Sequence, residues 1–215
     1  MIEAVIFDMD GTLLDSEPMW KEAEKAVFSE LGVDVTEQLA QQSASMTTIE
    51  ASEFWYHHYP WHGPSIEEVA NRVVTRVGDL ISMRGSALEG VSDTLALLEK
   101  HQVKIGLATN APQRLIPIVL DKLGIAAYFS VCCSSEHELE GKPHPAIYLS
   151  TAKALGVCPA NCLAVEDSGT GVLAAKAANM RILAIPQDNE YDHQKFDLSD
   201  FKLRSLTEFE LEYLA

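Results

Sequence analysis

The sequence predicts an α/β protein: a doubly wound, Rossmann-like parallel sheet with a small helical cap domain inserted into it. Three observations lead to this prediction. Short apolar runs alternate with segments of helical periodicity, one interval between two runs is far longer than a crossover helix needs, and that interval is itself helical. With 47% hydrophobic and 22% charged residues, the chain has the composition of a folded protein with a sizeable core.

Five apolar runs are too short for helices and lack the alternation of a half-exposed strand, so they indicate buried parallel strands. These runs are residues 4–7, 103–108, 128–133, 162–165 and 182–185. Between the later runs, helical periodicity is found in residues 112–123, 145–155 and 170–179. Strands and helices therefore alternate as βαβ units, which is typical of a doubly wound sheet.

The long interval after the first run carries several helix signals. They are the segment 18–31 before Gly32 and two capping-box spacings, Thr47-x-x-Glu50 and Ser65-x-x-Glu68. We therefore expect a helical cap domain at residues 16–86 and an α/β core made of residues 1–15 and 87–215. A third capping-box spacing, from Thr207 to Glu210, predicts a short helix at the end of the chain.

Charge and cysteine usage narrow the partners and the compartment. The 16 basic and 32 acidic residues give a net charge of −16, which opposes binding to nucleic acid and to anionic membrane surfaces. The apolar stretches are far shorter than a membrane span, so neither a signal peptide nor a transmembrane helix is expected. The four cysteines lack the spacing of a zinc site, which favours reduced thiols and a cytoplasmic protein.

Polar residues follow four of the predicted strands. They are residues 8–12 (Asp-Met-Asp-Gly-Thr), Thr109-Asn110, Gly141-Lys142-Pro143 and Glu166-Asp167-Ser168. Ligands of a doubly wound sheet bind beyond the carboxyl ends of its strands, so we expect these four loops to converge on one site.

The acidic residues of these loops would repel one another and raise one another's pKa values unless a divalent cation neutralised them. Mg²⁺ fits such oxygen ligands, and proteins usually hold it with one or two carboxylates together with water and substrate phosphate. Lys142, Thr109 and backbone N–H groups would complete a phosphate cradle. The sequence thus predicts phosphoryl transfer from a small phosphorylated metabolite.

The four motifs, in this order, resemble those of the haloacid dehalogenase superfamily, and the resemblance spans the whole core. Residues 10–18 (Asp-Gly-Thr-Leu-Leu-Asp-Ser-Glu-Pro), the helical insert and Gly-Lys-Pro-His-Pro at residues 141–145 are similar to the sugar-phosphatase and β-phosphoglucomutase branch. Within that branch, the hexitol and 2-deoxyglucose-6-phosphate phosphatases are the nearest in motif. The resemblance implies Mg²⁺-dependent hydrolysis of hexose, deoxyhexose or hexitol phosphates.

The resemblance also implies roles for individual residues. Asp8 would be the nucleophile that forms a phosphoaspartate, and Asp10 would act first as the acid and then as the base. Mg²⁺ would be bound by the carboxylates of Asp8 and Asp167 and by the backbone carbonyl of Asp10. Glu166 would be either a direct ligand or one that reaches the cation through water.

Three further residues would hold the transferring phosphoryl group: Thr109, Asn110 through its backbone, and Lys142. Glu17 and Trp20 lie where the cap leaves the core, and they are candidates for contact with the substrate. We expect the enzyme to be a monomer.

The same residues distinguish a phosphatase from three alternative functions. A dehalogenase would lack the second carboxylate, Asp10. A phosphomutase would need a basic residue for its second phosphate, which residues 43–48 do not offer, although Arg72, Arg76 or Arg84 could supply it. A non-enzymatic phospho-acceptor such as a receiver domain shares the acidic pocket, but it has no cap and is shorter. We therefore favour a phosphatase and keep the mutase as the alternative.

Overall fold

The computed structural model describes residues 1–43 and 46–215. The chain divides into two compact units: Met1–Asp15 together with Ser86–Ala215, which we call the core unit, and Ser16–Gly85, which we call the helical unit. The boundary expected from the sequence lay one residue later, after Ser86. The loop at residues 43–48, whose lack of arginine argued against a mutase, includes residues 44 and 45, which lie outside the described residues.

The core unit contains a six-stranded parallel sheet with the strand order β3-β2-β1-β4-β5-β6. The strands are β1 (Ala4–Phe7), β2 (Lys104–Thr109), β3 (Val131–Ser134), β4 (Cys162–Glu166), β5 (Arg181–Ala184) and β6 (Phe201–Lys202). The order reverses between β1 and β4, so the sheet is doubly wound around β1. This confirms the predicted fold class.

The two central strands of the sheet, β1 and β4, are buried along their whole length, which shows that helices cover the sheet. All four residues of β1 are buried, which an uncovered sheet face would not allow. The helices of the core unit are α5 (Val91–Lys100), α6 (Leu115–Leu123), α7 (Ala146–Leu155) and α8 (Gly169–Ala177). Ile147 and Ala152 of α7 belong to the same buried cluster as Ala4 and Ile6 of β1.

The helical unit consists of α1 (Glu17–Glu30), α2 (Glu37–Ser43), α3 (Thr48–His58) and α4 (Ile66–Arg84). Both predicted capping boxes are confirmed at the starts of α3 and α4. At the second, the Ser65 N–H donates to Glu68 Oε2 at 2.7 Å and the Glu68 N–H donates to Ser65 Oγ at 3.1 Å. Aromatic rings fill the small interior: the Phe28 ring centroid lies 5.6 Å from that of Trp55 and 6.1 Å from that of Trp61.

Three elements differ from the expectations. The third strand begins at Val131 because residues 126–128, which are as apolar as a strand, form a 3₁₀ turn. The sixth strand was not predicted; it has two residues and pairs only with β5. The predicted capping box at Thr207 does not form: Ser205 Oγ accepts from the Thr207 N–H at 3.2 Å, and the chain ends in short 3₁₀ helices, Leu206–Glu208 and Leu211–Leu214, in place of an α-helix. Ser205, two residues earlier, therefore provides the cap.

Among the residues that the structure describes, none of the helices is both long enough and apolar enough to cross a membrane.

Candidate active site

The register of the sheet brings the acidic loops together. Phe7 of β1 lies opposite Val165 of β4, and the Asp8 N–H donates to the carbonyl of Val165 at 2.9 Å. Asp8 therefore leaves the sheet beside Glu166 and Asp167. Oxygen atoms of these three carboxylates lie within 4.8 Å of one another. The convergence expected for these loops is present in the fold.

Lys142 lies at the centre of this acidic group and is itself buried. Its Nζ is 2.5 Å from Asp8 Oδ1 and 2.6 Å from Glu166 Oε1, and it donates to the backbone carbonyl of Ala108 at 2.8 Å. An ammonium group has three protons, so these three contacts use all of its donors. The lysine thus links the ends of β1, β2 and β4.

The electrostatics of Asp8 and Lys142 follow from burial and pairing. Burial raises the pKa of Asp8 from its ordinary value of 3.8 to about 7, because the lowering effect of Lys142 is outweighed by burial together with the charge of Glu166. Burial alone would lower the pKa of Lys142, but the charges of Asp8 and Glu166 exceed that effect and raise it. Lys142 therefore stays protonated, whereas the pKa of Asp8 lies close to neutral pH.

Asp167 is the second carboxylate of the group whose pKa is raised. Burial raises its pKa well above the usual value, and the charges of Asp8 and Glu166 raise it further. Lys142 opposes this rise only in part. A cation bound next to Asp8 and Asp167 would remove the repulsion between them, so these residues fit a hard divalent ion.

Two glycines let the acidic side chains take these positions. A Cβ atom on Gly11 would lie 1.9 Å from Asp167 Oδ2, and one on Gly171 would lie 1.9 Å from the carboxyl carbon of Glu166. Both distances are far inside van der Waals contact, so any larger residue would displace a carboxylate. Gly11 also has a φ of +79°, a backbone conformation that favours glycine.

The loop after β2 positions Lys142 from the opposite side. Asn110 Oδ1 accepts from the Lys142 N–H at 2.9 Å, and its Nδ2 donates to the Lys142 carbonyl at 3.3 Å. The side chain of Asn110 thus clamps the lysine's backbone, a contact that the sequence did not suggest. Thr109 is buried beside it, and its Oγ1 accepts from the N–H of Ala111 at 3.0 Å.

Asp10 lies in the same loop as Asp8 and is half-buried. Its charge raises the pKa values of both Asp8 and Asp167, as expected of a neighbouring carboxylate. The turn is closed by hydrogen bonds from Leu13 N–H to the Met9 carbonyl and from Gly11 N–H to the Leu14 carbonyl, each at 2.9 Å.

The two cap candidates lie in the helical unit. Glu17 and Trp20 belong to the first turn of α1, where Glu17 forms an i,i+4 ion pair with Lys21 at 2.5 Å. The Trp20 N–H donates to the Ser16 carbonyl at 3.0 Å. Their contact with a substrate stays a prediction.

Sequence reasoning missed Tyr148. This residue of α7 is fully buried, and its hydroxyl donates to Glu166 Oε1 at 2.5 Å. The sequence gave little signal, because Tyr148 sits among apolar residues on the inward face of a helix. The only indication was its position six residues after Lys142, at the start of the helix that follows the lysine loop.

Comparison with known proteins assigns the family. Residues 2–179 match the model of the haloacid dehalogenase-like hydrolases. The chain belongs to this family. The hydrolase is 39% identical over 208 residues to hexitol phosphatase B of Escherichia coli, and the alignment covers 96% of this chain and 94% of that protein.

Two further similarities lie in the same branch. The hydrolase is 34% identical over 179 residues to a phosphorylated carbohydrates phosphatase of Thermotoga maritima, with 83% of this chain and 82% of that protein covered. It superposes on the crystal structure of a β-phosphoglucomutase from Clostridium difficile with a TM-score of 0.85 and 25% identity, over 100% of this chain and 96% of that one. The family and the named phosphatases identify the hydrolase as a phosphatase, and the resemblance inferred from the motifs is confirmed.

Proposed function

We propose that the enzyme hydrolyses phosphate monoesters of small sugars or sugar alcohols through a phosphoaspartate formed on Asp8. One observation carries the proposal: a buried carboxylate at the end of β1 lies beside two further carboxylates and 2.5 Å from a buried lysine. A nucleophile in contact with a fixed cation matches a reaction that transfers an anionic phosphoryl group. The sugar class follows from the relatives, which are named for hexitols and phosphorylated carbohydrates.

Mg²⁺ would be held by Asp8, Asp167 and the backbone carbonyl of Asp10. The donors are all oxygens, as this ion prefers, and the raised pKa values of Asp8 and Asp167 reflect a site that favours added positive charge. Glu166 would reach the cation through water, because its two oxygens already accept from Lys142, Tyr148 and Ser168. When bound, the cation supplies charge that stabilises the transferring phosphoryl group.

The chain's own residues account for both chemical steps. Asp8 attacks phosphorus; its bond to phosphorus forms as the bond to the sugar oxygen breaks, and Asp10 gives that oxygen a proton. A water molecule then attacks the phosphoaspartate, Asp10 takes a proton from it, and the bond to Asp8 breaks to release inorganic phosphate. The positive charge of Lys142, whose donors are already in use, and the hydroxyl group of Thr109 would stabilise the equatorial oxygens in both steps.

A phosphomutase is the second candidate, favoured by the fold similarity to a β-phosphoglucomutase. It would return the phosphoryl group to a second sugar hydroxyl instead of passing it to water. The similarity to two phosphatases at higher identity supports hydrolysis. Cytoplasmic location, a monomeric state and the absence of nucleic-acid or membrane partners stay predictions.

The test is phosphate release from a panel of hexose, deoxyhexose and hexitol monophosphates, with Mg²⁺ or with EDTA. We expect Mg²⁺-dependent release that Asp8→Asn lowers by about 10⁴-fold or more, since that variant loses the nucleophile. Asp121→Asn, which changes an exposed carboxylate on α6, is the matched control and should behave like the wild type.

Other outcomes of the panel decide against the proposal. Interconversion of a sugar 1-phosphate and its 6-phosphate without phosphate release would establish the mutase. Full activity of Asp8→Asn would exclude Asp8 as the nucleophile, and inactivity of the wild type on every substrate would return the phospho-acceptor to consideration.

A further inference from the structure

We propose that Tyr148 is a positioning residue of this active site: its hydroxyl fixes Glu166, and Glu166 in turn holds Lys142 against Asp8. The inference rests on the proposed function, because it concerns the geometry of the same reaction. Tyr148 touches neither the nucleophile nor the leaving group, so its effect would pass through the glutamate.

The contacts of Glu166 show how the hydroxyl acts. Glu166 Oε1 accepts from Tyr148 at 2.5 Å and from Lys142 at 2.6 Å, while Oε2 accepts from Ser168 at 3.0 Å. The carboxylate is fully buried, and the space behind it is filled by Gly171. Three donors and a steric wall therefore define one orientation of this side chain.

Lys142 contacts two carboxylates, and for this reason the Tyr148 hydroxyl, which binds one of them, can affect the contact of the lysine with the other. Its Nζ contacts Asp8 and Glu166 at nearly equal distances, 2.5 and 2.6 Å. Without the Tyr148 hydroxyl, the fully buried Glu166 would carry more uncompensated charge and would attract Lys142 more strongly. We expect Lys142 then to interact less well with Asp8 and with the transferring phosphoryl group.

The ring and the hydroxyl of Tyr148 have separable roles. The ring packs in the buried cluster on the inward face of α7, and its centroid lies 5.0 Å from Lys142 Nζ. Phenylalanine would keep both of these contacts and remove only the oxygen. A substitution that preserves packing therefore isolates the hydrogen bond to Glu166.

The experiment compares Tyr148→Phe with Tyr191→Phe, a matched control in the same unit. The Tyr191 hydroxyl donates to the Lys202 carbonyl at 3.2 Å and lies outside the carboxylate cluster. For Tyr148→Phe we expect kcat to fall by about tenfold or more, with KM changed less than about twofold, since partners that orient active-site ligands have effects of this size. The control should keep the wild-type kcat.

A double-mutant cycle with Glu166→Gln shows whether Tyr148 acts through the glutamate. We expect the Tyr148→Phe effect to shrink strongly in the Glu166→Gln background, both on kcat and on the melting temperature in EDTA. A kcat of Tyr148→Phe equal to that of the wild type would overturn the inference. Equal effects of Tyr148→Phe in both backgrounds would overturn it as well, because they would show that the hydroxyl does not act through Glu166.

The melting temperatures separate this inference from the proposed function. They report the Tyr148–Glu166 interaction without turnover, so the cycle can be read even if the wild type proves inactive on every sugar phosphate. Activity lost in Asp8→Asn together with no coupling in the cycle would reject Tyr148 and leave the phosphatase proposal standing.

Discussion

At the scale of single residues, the site consists of buried charges that are only partly balanced. Asp8, Glu166 and Asp167 carry three potential negative charges, and Lys142 is the one cation that the described residues place in hydrogen-bond contact with the first two. Burying unbalanced charge is costly, so the metal-free protein should hold protons there at neutral pH. The pKa of Asp8, raised to about 7 chiefly by burial, expresses this imbalance.

This imbalance predicts how pH changes the stability of the metal-free protein. The folded pKa of Asp8, about 7, lies above the ordinary 3.8, so its contribution to stability is fully present below about 3.8 and is lost as pH rises through about 7. Asp167, whose pKa is also raised by burial, acts in the same direction. In EDTA, the melting temperature should therefore fall from about pH 5 to about pH 8.

Mg²⁺ competes with protons for the same oxygens, so the rise in melting temperature that it causes should be larger at about pH 8 than at about pH 5. Thermal unfolding with Mg²⁺ or EDTA at both pH values measures this difference. In Asp8→Asn, the rise in melting temperature caused by Mg²⁺ should depend less on pH. An equal shift by Mg²⁺ at both pH values would contradict a cation bound by Asp8 and Asp167.

At the scale of elements, helix-capping signals were reliable where the flanking segment buries an apolar face. The Ser65 box begins a 19-residue helix with eight buried residues, whereas the Thr207 spacing begins none. Replacing Ser65 with Ala should lower the free energy of unfolding by about 1 kcal/mol, because the Glu68 N–H loses its acceptor. Thr207→Ala should change it by only a few tenths of a kcal/mol, since Ser205 is the residue that caps there.

Denaturant unfolding of Ser65→Ala and Thr207→Ala, followed by circular dichroism, measures the two changes in the free energy of unfolding. Equal losses of stability in the two variants would mean that the capping box in the helical unit contributes nothing beyond the general effect of a side-chain truncation.

The elements that sequence reasoning missed have a common physical reason. β6 is short and forms only by pairing with β5, so its two residues carry no apolar run of their own. Residues 126–128 are as apolar as a strand, and the turn they form is set by local hydrogen bonds such as Tyr128 N–H to the Ile125 carbonyl at 3.1 Å. Composition predicts burial at such places, whereas tertiary context decides between strand and turn.

The site shows the same division between chemistry and orientation. The order of the polar residues after the strands was enough to predict that one site would contain Asp8, Lys142, Glu166 and Asp167. It did not indicate that Glu166 would bind Lys142 and Tyr148, because the same carboxylate could have faced a cation. Side-chain direction depended on residues without a polar signature, of which Tyr148 is the clearest.

At the scale of the whole molecule, the net charge of −16 would repel the phosphorylated ligand that we propose for this site. A fixed lysine and a bound cation next to Asp8 would supply the local positive charge that the surface lacks. The proposed catalysis therefore depends on the end of β1, where Asp8 would carry the phosphoryl group.

The most direct measurement is mass spectrometry of acid-quenched enzyme during turnover of a reactive sugar phosphate, with Asp10→Asn used to slow hydrolysis of the intermediate. We expect one phosphoryl group on the peptide that contains Asp8, removable by hydroxylamine and absent from Asp8→Asn. Phosphate release by the wild type with no adduct on that peptide, together with activity retained in Asp8→Asn, would exclude a phosphoaspartate on Asp8.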